Sequence, residues 1–289
     1  ARTARGVQLS AGVNRAGALY GAQITGGVNL VRGVATGAQI GLVNVAGDLD
    51  GGQTSLVNVT DDVRGFQTSL VNVAADVQGG QVALVNVAKD VQGGQTALFS
   101  LAGDVDGGQV SLSNLAGDVR GAQIGLVNAG GHVRGVQIGL VNVADRVDGL
   151  SIAPVNVIGN VRTQAVFWTA GARLPVNVAV KYRQGLFYTL WGVGYDDRDG
   201  EALLAPGAGL GVHLDFEPLF FEADAFWQHE QNITGDTSPG THALRYRAAL
   251  GWEPVRGFAL FAGGGPQHDF PRDGDQTWRP HAFAGVQIF

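Results

Sequence analysis

Polar and apolar residues recur along the first half of the chain with a period of fourteen residues. Each unit runs from a Gln through small, β-branched and apolar residues to an Asp-Val-x-Gly segment with turn chemistry. If each unit forms one coil of a parallel β-solenoid, identical residues stack about 4.7–4.8 Å apart and amide side chains form ladders. The predicted ladders comprise Gln53, Gln67, Gln81, Gln95, Gln109, Gln123 and Gln137, together with Asn58, Asn72, Asn86, Asn114, Asn128, Asn142 and Asn156.

Looser copies of the unit extend the array to the N-terminus, which predicts about eleven coils in a solenoid domain at residues 1–162. Ser100 replaces the ladder Asn once. A rival interpretation makes each unit a strand and a turn of an up-and-down meander in a large membrane barrel, since a spanning strand needs about 9–11 residues. Membrane barrels carry aromatic girdles at both interfaces. Residues 1–160 contain only Tyr20, Phe66 and Phe99 as aromatic residues, which favours the solenoid.

Beyond residue 162 the pattern changes to an alternation with a period of two, and all five tryptophans lie there. Leu219, Phe221 and Trp227, for example, share one face of a strand, whereas Glu222 and Asp224 share the other. This alternation predicts an antiparallel β-barrel of about eight strands at residues 163–289, so that the whole chain is all-β. The predicted strands lie near 164–174, 177–184, 186–196, 203–216, 219–230, 241–253, 257–266 and 277–289, with a tight connection at 174–177.

The alternation alone does not say which face of these strands lies inside. A soluble sandwich places its apolar face inside, whereas a membrane barrel places it outside. Connections that alternate between short turns and long polar loops, aromatic residues near strand ends and the terminal Phe289 favour the membrane barrel. The charges then face the lumen, and we expect Glu222 and Asp224 to pair with Arg245 and Arg247. We expect His213 and Asp215 to pair with Lys181, Arg183 or Arg279, and His281 completes this predicted lumen cluster.

The second half resembles the small eight-stranded outer-membrane barrels over about 125 residues. It departs from their pattern because Gln287, Gly285 and His281 stand where further apolar residues are expected in register with the terminal Phe. The fourteen-residue step resembles the coiled head domains of trimeric autotransporter adhesins, and residues 121–128 and 135–143 resemble repeat arrays of bacterial surface proteins. These resemblances imply a bacterial envelope location, with outer-membrane lipid around the barrel.

Composition removes several classes of function. The 19 basic and 25 acidic residues give a net charge of −6, without the basic cluster that nucleic-acid binding requires. The absence of Cys excludes disulfides and Cys-based metal sites, and no apolar run is long enough for a transmembrane helix. Because the sequence contains no Met, we expect that it begins after a removed segment such as a secretory signal.

Few groups of residues in the sequence could bind a metal ion or catalyse a reaction. Asp48, Asp50, Asp104 and Asp106 have a spacing that faintly resembles calcium-binding β-roll repeats, but Asp is also favoured in turns for its own hydrogen bonds. His229, His242 and the His268-Asp269 pair are scattered, so we expect no metal site. The nucleophile motif Gly-x-Ser-x-Gly is absent, so we expect neither catalytic residues nor a cofactor.

Three functions remain open. The first is a non-enzymatic outer-membrane protein whose barrel anchors a solenoid for surface adhesion, scaffolding or self-association into a homo-oligomer. The second is a lipid-modifying enzyme or small-solute channel in the barrel lumen, and the third is a soluble secreted β protein. An even number of strands places both barrel ends on one side of the membrane, and the sequence leaves open whether the repeat domain lies on the cell surface or in the periplasm.

Overall fold

The computed structural model describes residues 2–170, 174–198, 201–234, 240–271 and 275–289, and its regular elements are all β-strands. Contacts divide the chain into two compact units, residues 1–160 and 161–289. The first unit is a parallel solenoid-like sheet of about eleven turns, and the second is a closed antiparallel barrel of eight strands, so the predicted fold class is confirmed. The described part of the chain contains no helix that is long and apolar enough to span a membrane.

Strands of the first unit pair in parallel with the equivalent segment of the next coil. Gln53 lies opposite Gln67 and Asn58 opposite Asn72, which is the register that the fourteen-residue period predicts. An up-and-down meander would pair its strands antiparallel, so the rival interpretation is wrong. The strands are β1 Thr3–Ser10, β2 Val13–Ala16, β3 Ala18–Thr25, β4 Val28–Val31, β5 Ala35–Ile40, β6 Val43–Thr54, β7 Val57–Thr68, β8 Val71–Val82, β9 Val85–Val87, β10 Asp90–Leu101, β11 Asp104–Leu115, β12 Val119–Ile124, β13 Val127–Ile138, β14 Val141–Ile152 and β15 Val155–Ile158.

Each coil turns a short set of side chains inward. In β7 the buried residues are Asn58, Thr60, Val63 and Gln67, so half of the interior positions carry an amide. Gly65 sits at a positive φ of 137°, and a Cβ there would lie 2.0 Å from the carbonyl oxygen of the glycine one coil earlier. The column of glycines in the repeat is therefore required both by the backbone conformation and by the close stacking of coils.

This stacking yields a matched pair of variants at neighbouring positions. Gly93 has a φ of 137° and its Cβ would meet the carbonyl oxygen of Gly79 at 2.0 Å, so we expect Gly93→Ala to lower the free energy of unfolding by at least about 2 kcal/mol. A Cβ at the adjacent Gly94 would lie at an ordinary contact distance of 3.9 Å from the carbonyl oxygen of Gly108, and the position is equivalent in the stack to Ala122, so Gly94→Ala should change stability little. Denaturant unfolding followed by circular dichroism measures both, and equal effects would contradict the stacking account.

The second unit closes because its first and last strands pair, with Ala165 opposite Ile288. Strand lengths run from nine residues in β16 to sixteen in β19, which is enough to span a bilayer core. The strands are β16 Arg162–Ala170, β17 Leu174–Gln184, β18 Phe187–Arg198, β19 Glu201–Phe216, β20 Leu219–Asn232, β21 Thr241–Val255, β22 Phe258–Phe270 and β23 Thr277–Ile288.

One predicted connection of the barrel is wrong. Residues 174–177 were expected to form a tight connection between the first two strands. In the structure they begin β17, where Asn177 lies opposite Trp168 and Gly194, so pairing with both neighbouring strands extends β17 back to Leu174. The predicted first strand accordingly ends at Ala170, and residues 171–173 lie outside the described part of the chain.

The side chains of the barrel have an inverted distribution: most of the outer surface is apolar and the charges point inward. Leu250, Phe216 and Trp278 leave 69%, 61% and 59% of their surfaces exposed, whereas Lys181 leaves 1%. An inner layer of aromatic rings packs beside the charges, which the prediction of a purely polar inner face missed. This layer contains Trp168, Phe220, Phe226, Phe261 and Phe283.

Candidate functional site

A buried ionic group lies in the lumen between β17, β19 and β20. Glu222 on β20 forms an ion pair with Lys181 on β17, across the barrel rather than along the sheet. Lys181 also donates to the side-chain oxygen of Gln287 at 2.7 Å, and the Nδ1 atom of His213 lies 2.7 Å from the Glu222 carboxylate. Three partners therefore hold this carboxylate, since Gln287 donates to it at 3.0 Å. Such multiple hydrogen bonding offsets the cost of burying an ion pair.

Arg183 and Asp215 extend this group toward the short turns of the barrel. Two guanidinium nitrogens of Arg183 donate to the two oxygens of Asp215 at 3.2 and 2.5 Å. The Nε2 atom of His213 lies 2.9 Å from Asp215, so His213 bridges both carboxylates of the group. Among the predicted partners of His213 and Asp215, the structure selects Arg183; Lys181 instead joins Glu222, whose predicted partners were arginines.

A second ionic group occupies the middle of the lumen. Arg247 donates to both oxygens of Asp224 at 2.7 and 2.9 Å, as predicted for this pair on adjacent strands. The Tyr188 hydroxyl donates to the same carboxylate at 2.6 Å, a contact that the sequence analysis missed. Cation–π contacts stabilise the buried guanidinium further. Its carbon lies 5.1, 4.7 and 5.3 Å from the ring centres of Trp168, Phe226 and Phe283.

A third group lies toward the long loops and departs from the prediction. Arg245 was expected to pair with Glu222 or Asp224, but its guanidinium donates to Glu230 at 2.8 Å and to Gln267 at 2.8 Å. Arg279, expected near His213, forms an ion pair with Asp269. Glu230 lies at the end of a predicted strand with the same parity as Glu222 and Asp224, so its inward face was predictable. Asp269 lies beyond the predicted strand 257–266, and the partners of both carboxylates depend on how the strands stagger around the barrel.

His281 is the one member of the predicted cluster that joins none of the ion pairs among the described residues. It lies on the inner face of β23, opposite Gly265, with its ring stacked on Phe283 at 5.7 Å. It belongs with the aromatic layer rather than with the charges.

Little space remains between the ionic groups. The central cavity among Lys181, Tyr188, Glu222, Asp224 and Arg247 measures about 20 Å³. A cavity of this size accommodates about one water molecule. The ion pairs at the centre of the lumen therefore leave no room for a substrate between these five residues.

The repeat domain contains the two predicted amide ladders, and they run in opposite directions. Each Gln donates to the Gln one coil earlier at 2.6–2.9 Å. Most ladder Asn residues donate to the Asn one coil later, at 2.8–3.4 Å. Asn nitrogens also donate to backbone carbonyls of adjacent segments. The ladders thus hydrogen-bond buried amides along the whole stack, and their opposed directions let the amide dipoles of the two columns oppose each other.

A serine interrupts the Asn column at residue 100 and ends the Gln column at residue 151. Ser100 bonds Ser111 at 2.7 Å and supplies no amide donor, and the Oδ1 atom of Asn114 in the next coil is buried without a partner. Ser151 stands where the next Gln would donate, and the Oε1 atom of Gln137 is likewise buried without a partner. The direction of each ladder explains which oxygen is left unpaired.

The Asp column of the repeat serves the backbone of the turn. Asp104 accepts the backbone N–H of Asp118 at 3.0 Å, and Asp118 accepts that of His132 at 3.1 Å, so carboxylates cap the next coil. Asp48 lies in register with Asp62 in the same column. Within the described residues, no group of three carboxylate or imidazole side chains could hold a metal ion. The geometry supports the turn role for Asp104, and Asp48 occupies the same column.

The remaining calcium candidates lie beside opposite charges. Asp50 is in register with Arg64, and Asp106 is in register with Arg120. Opposite charges facing each other across parallel strands stabilise the sheet modestly. At the end of this column, the hydrogen bond from His132 and then that from Arg146 lower the pKa of Asp148.

The scattered histidines of the second half meet aromatic rings. His229 and His242 face each other on β20 and β21, with ring centres 4.6 Å apart. His268 stacks on Trp278 at 4.2 Å, whereas its neighbour Asp269 points inward to Arg279. The structure therefore separates the His268-Asp269 pair and places the imidazoles among aromatic residues near the long loops.

Comparisons with known proteins do not identify a function, so the proposal below is argued from the residues of this chain. No family model matches the sequence, and no curated protein matches it. The crystal structure of Neisserial surface protein A is similar over 44% of this chain and 94% of that chain, with 15% identity and a TM-score of 0.31.

The ladder interruption generates a prediction about stability. Ser100→Asn restores a donor for the unpaired Asn114 oxygen and an acceptor for Asn86, in a column whose other coils already accommodate Asn. We expect the free energy of unfolding to rise by about 1 kcal/mol. Thr96→Asn on the outer face of the same strand is the matched control and should be neutral. A loss of stability in Ser100→Asn, measured by thermal unfolding, would refute the ladder account.

The lumen generates a second prediction. Glu222→Leu leaves Lys181 and His213 without their shared carboxylate, and we expect a loss of about 3–5 kcal/mol of unfolding free energy. The double variant Lys181→Met/Glu222→Leu removes both charges and should regain a large part of that loss. Asp275→Asn, at an exposed site, serves as the control. Urea unfolding in detergent measures all variants, and additive losses in the double variant would argue against a coupled pair.

Proposed function

We propose that this chain is a non-enzymatic outer-membrane protein whose barrel anchors a β-solenoid that serves in scaffolding. The observation that carries the proposal is the inverted barrel, with paired charges inside and apolar side chains outside. A soluble barrel requires the reverse, because exposed apolar surface on this scale is unfavourable in water and favourable in lipid. The proposal thus places the apolar outer face of the barrel in contact with lipid.

The dimensions of the apolar face agree with a bilayer. On β20, Leu219 and Trp227 lie on the outer face at the two limits of a nine-residue stretch, which is the length that a tilted membrane-spanning strand needs. Trp252 lies opposite Leu219, and Trp278 lies near the same barrel end as Trp227. Aromatic residues at both rims of an apolar band are the pattern of outer-membrane barrels.

The turns also indicate an orientation. β17–β18, β19–β20 and β21–β22 are joined by two-residue connections, and outer-membrane barrels direct such short turns to the periplasm. β16 begins and β23 ends at that same end of the barrel. Under this proposal the repeat domain therefore lies on the periplasmic side, and protease added to intact cells should leave it uncut.

The lumen supports an anchor rather than an enzyme or a channel. Its charges pair with one another, and the cavity at their centre accommodates about one water molecule. A catalytic group needs space for a substrate beside it, and a channel needs a continuous wet path. Internal pairing instead stabilises a narrow barrel, which is what an anchor requires.

The experiment compares purification with and without detergent, followed by gel mobility of boiled and unboiled samples. A membrane barrel needs detergent to stay in solution and migrates differently when unboiled. Ala248→Arg then tests the outer face directly, since Ala248 lies midway between the rim residues of β21. We expect it to cost about 2–4 kcal/mol in lipid.

Gln276→Arg adds the same charge at an exposed site and should leave stability unchanged. A chain that stays monodisperse in plain buffer, with Ala248→Arg as stable as the control, would overturn the proposal.

A further inference from the structure

One face of the repeat domain carries three adjacent columns of outward side chains without any charge from residue 42 to residue 157. Leucines of the first column leave 42–55% of their surfaces exposed. We call these columns the apolar face. They are Leu42, Leu56, Leu70, Leu84, Leu98, Leu112, Leu126 and Leu140; Val43, Val57, Val71, Val85, Phe99, Ser113, Val127, Val141 and Val155; and Val45, Val59, Val73, Val87, Leu101, Leu115, Ala129, Val143 and Val157.

Charged residues of the same coils lie on the other sides. Asp62 and Arg64, for example, follow the apolar face by a few residues in β7, after the chain has turned its corner. About nine coils at 4.8 Å, each about 10 Å wide, give an apolar face of about 430 Å² in projection. Two such faces bury about 860 Å² in projection, and interdigitating side chains bury more than the projected area, so the contact is close to the roughly 1,000 Å² at which a specific protein interface begins.

We propose that the apolar face binds a second copy of this chain. A membrane surface suits it less, because interfacial elements carry Trp and basic residues at their rims. Here the neighbouring corner carries the acidic column that includes Asp62, Asp76 and Asp90, which anionic lipid would repel. In a second copy, the rows of apolar side chains have the same 4.8 Å spacing and carry no charge. The side chains of two such faces can therefore pack between each other.

Two residues in the second column that are not Val indicate how the two copies are oriented in the dimer. Phe99 is 56% exposed, and the residue in register with it in the next coil is Ser113, whereas most other members of the column are Val. A large side chain thus stands beside a gap. If a two-fold axis crosses the face between these two coils, Phe99 of each copy lies over Ser113 of the other.

This axis makes the two solenoids antiparallel, with every column facing its own counterpart. Val85 then lies over Val127 of the second copy, and Val71 over Val141. A parallel pair would instead place Phe99 against Phe99 and leave two Ser113 gaps. Self-complementarity therefore favours the antiparallel dimer, with faces about 10 Å apart as in packed sheets.

The inference rests on the proposed function for the setting of the protein and deepens it by naming the partner of the repeat domain. The two can fail separately. Detergent dependence tests the anchor, whereas the mass of the assembled chain tests the dimer.

The experiment measures the protein mass of the full chain in nanodiscs or detergent by light scattering, over a range of concentrations. We expect a dimer. Phe99→Ser removes both large side chains and Ser113→Phe brings four together, so each single variant should raise the dissociation constant at least tenfold. The exchange variant Phe99→Ser/Ser113→Phe restores one large residue over each small one and should return within about threefold of the wild type.

A matched pair controls for nonspecific effects of charge. Leu84→Glu introduces a charge on the apolar face and should dissociate the dimer, whereas Gln78→Glu adds the same charge on an exposed position outside that face and should not. Both positions are solvent-exposed, so folding is preserved in each and circular dichroism verifies it.

Cross-linking tests the direction of the pair, because the chain contains no natural Cys. A mixture of Val71→Cys and Val141→Cys chains should cross-link with a thiol reagent of about 10 Å span. Neither variant alone should cross-link. A monomer at all concentrations, cross-linking of Val71→Cys with itself, or an exchange variant as weak as the single variants would each overturn the proposal. Protection of the face by phosphatidylethanolamine vesicles in a monomeric chain would identify lipid as the occupant instead.

Discussion

Buried polar side chains in both halves of this molecule are paired with one another, and the character of each surface follows from that pairing. In the solenoid, amide ladders occupy half of the interior positions. In the barrel, ion pairs such as Lys181–Glu222 and Asp224–Arg247 occupy the lumen. Buried polar groups are costly unless they are hydrogen-bonded. Because each interior pairs most of its buried polar groups, apolar residues remain for the outside.

Apolar surfaces of this kind need a solvent or a partner other than water. The outer face of the barrel has the width and aromatic rims that suit lipid, whereas the apolar face of the solenoid is a flat, corrugated strip flanked by carboxylates. The outer face of the barrel therefore suits fluid lipid, whereas the apolar face of the solenoid suits a second solenoid with the same spacing between coils. The proposed anchoring and the proposed self-association both follow from interiors that pair most of their polar side chains and leave apolar side chains on the surface.

Much of this architecture is predictable from the sequence because stacked coils produce a repeated sequence unit and pleated strands produce an alternation of apolar and polar residues. Identical residues fourteen apart must stack if each unit is a coil, which correctly brought Gln53 onto Gln67. The alternation alone did not show which face of the second half lies inside, since a sandwich and a barrel share it; the loop lengths and the aromatic residues near strand ends were needed as well. Neither was the pairing of Lys181 with Glu222, because strands on opposite sides of a barrel meet only once its stagger is fixed.

The most direct test of the central claim measures which tryptophans contact lipid. Single-tryptophan chains that retain either Trp252, which is exposed on the outer face, or Trp168, which is buried in the lumen, are reconstituted into vesicles with brominated acyl chains. The account predicts strong fluorescence quenching of Trp252 and little quenching of Trp168. Quenching of neither residue, or of Trp168 alone, would contradict an inverted barrel in a bilayer.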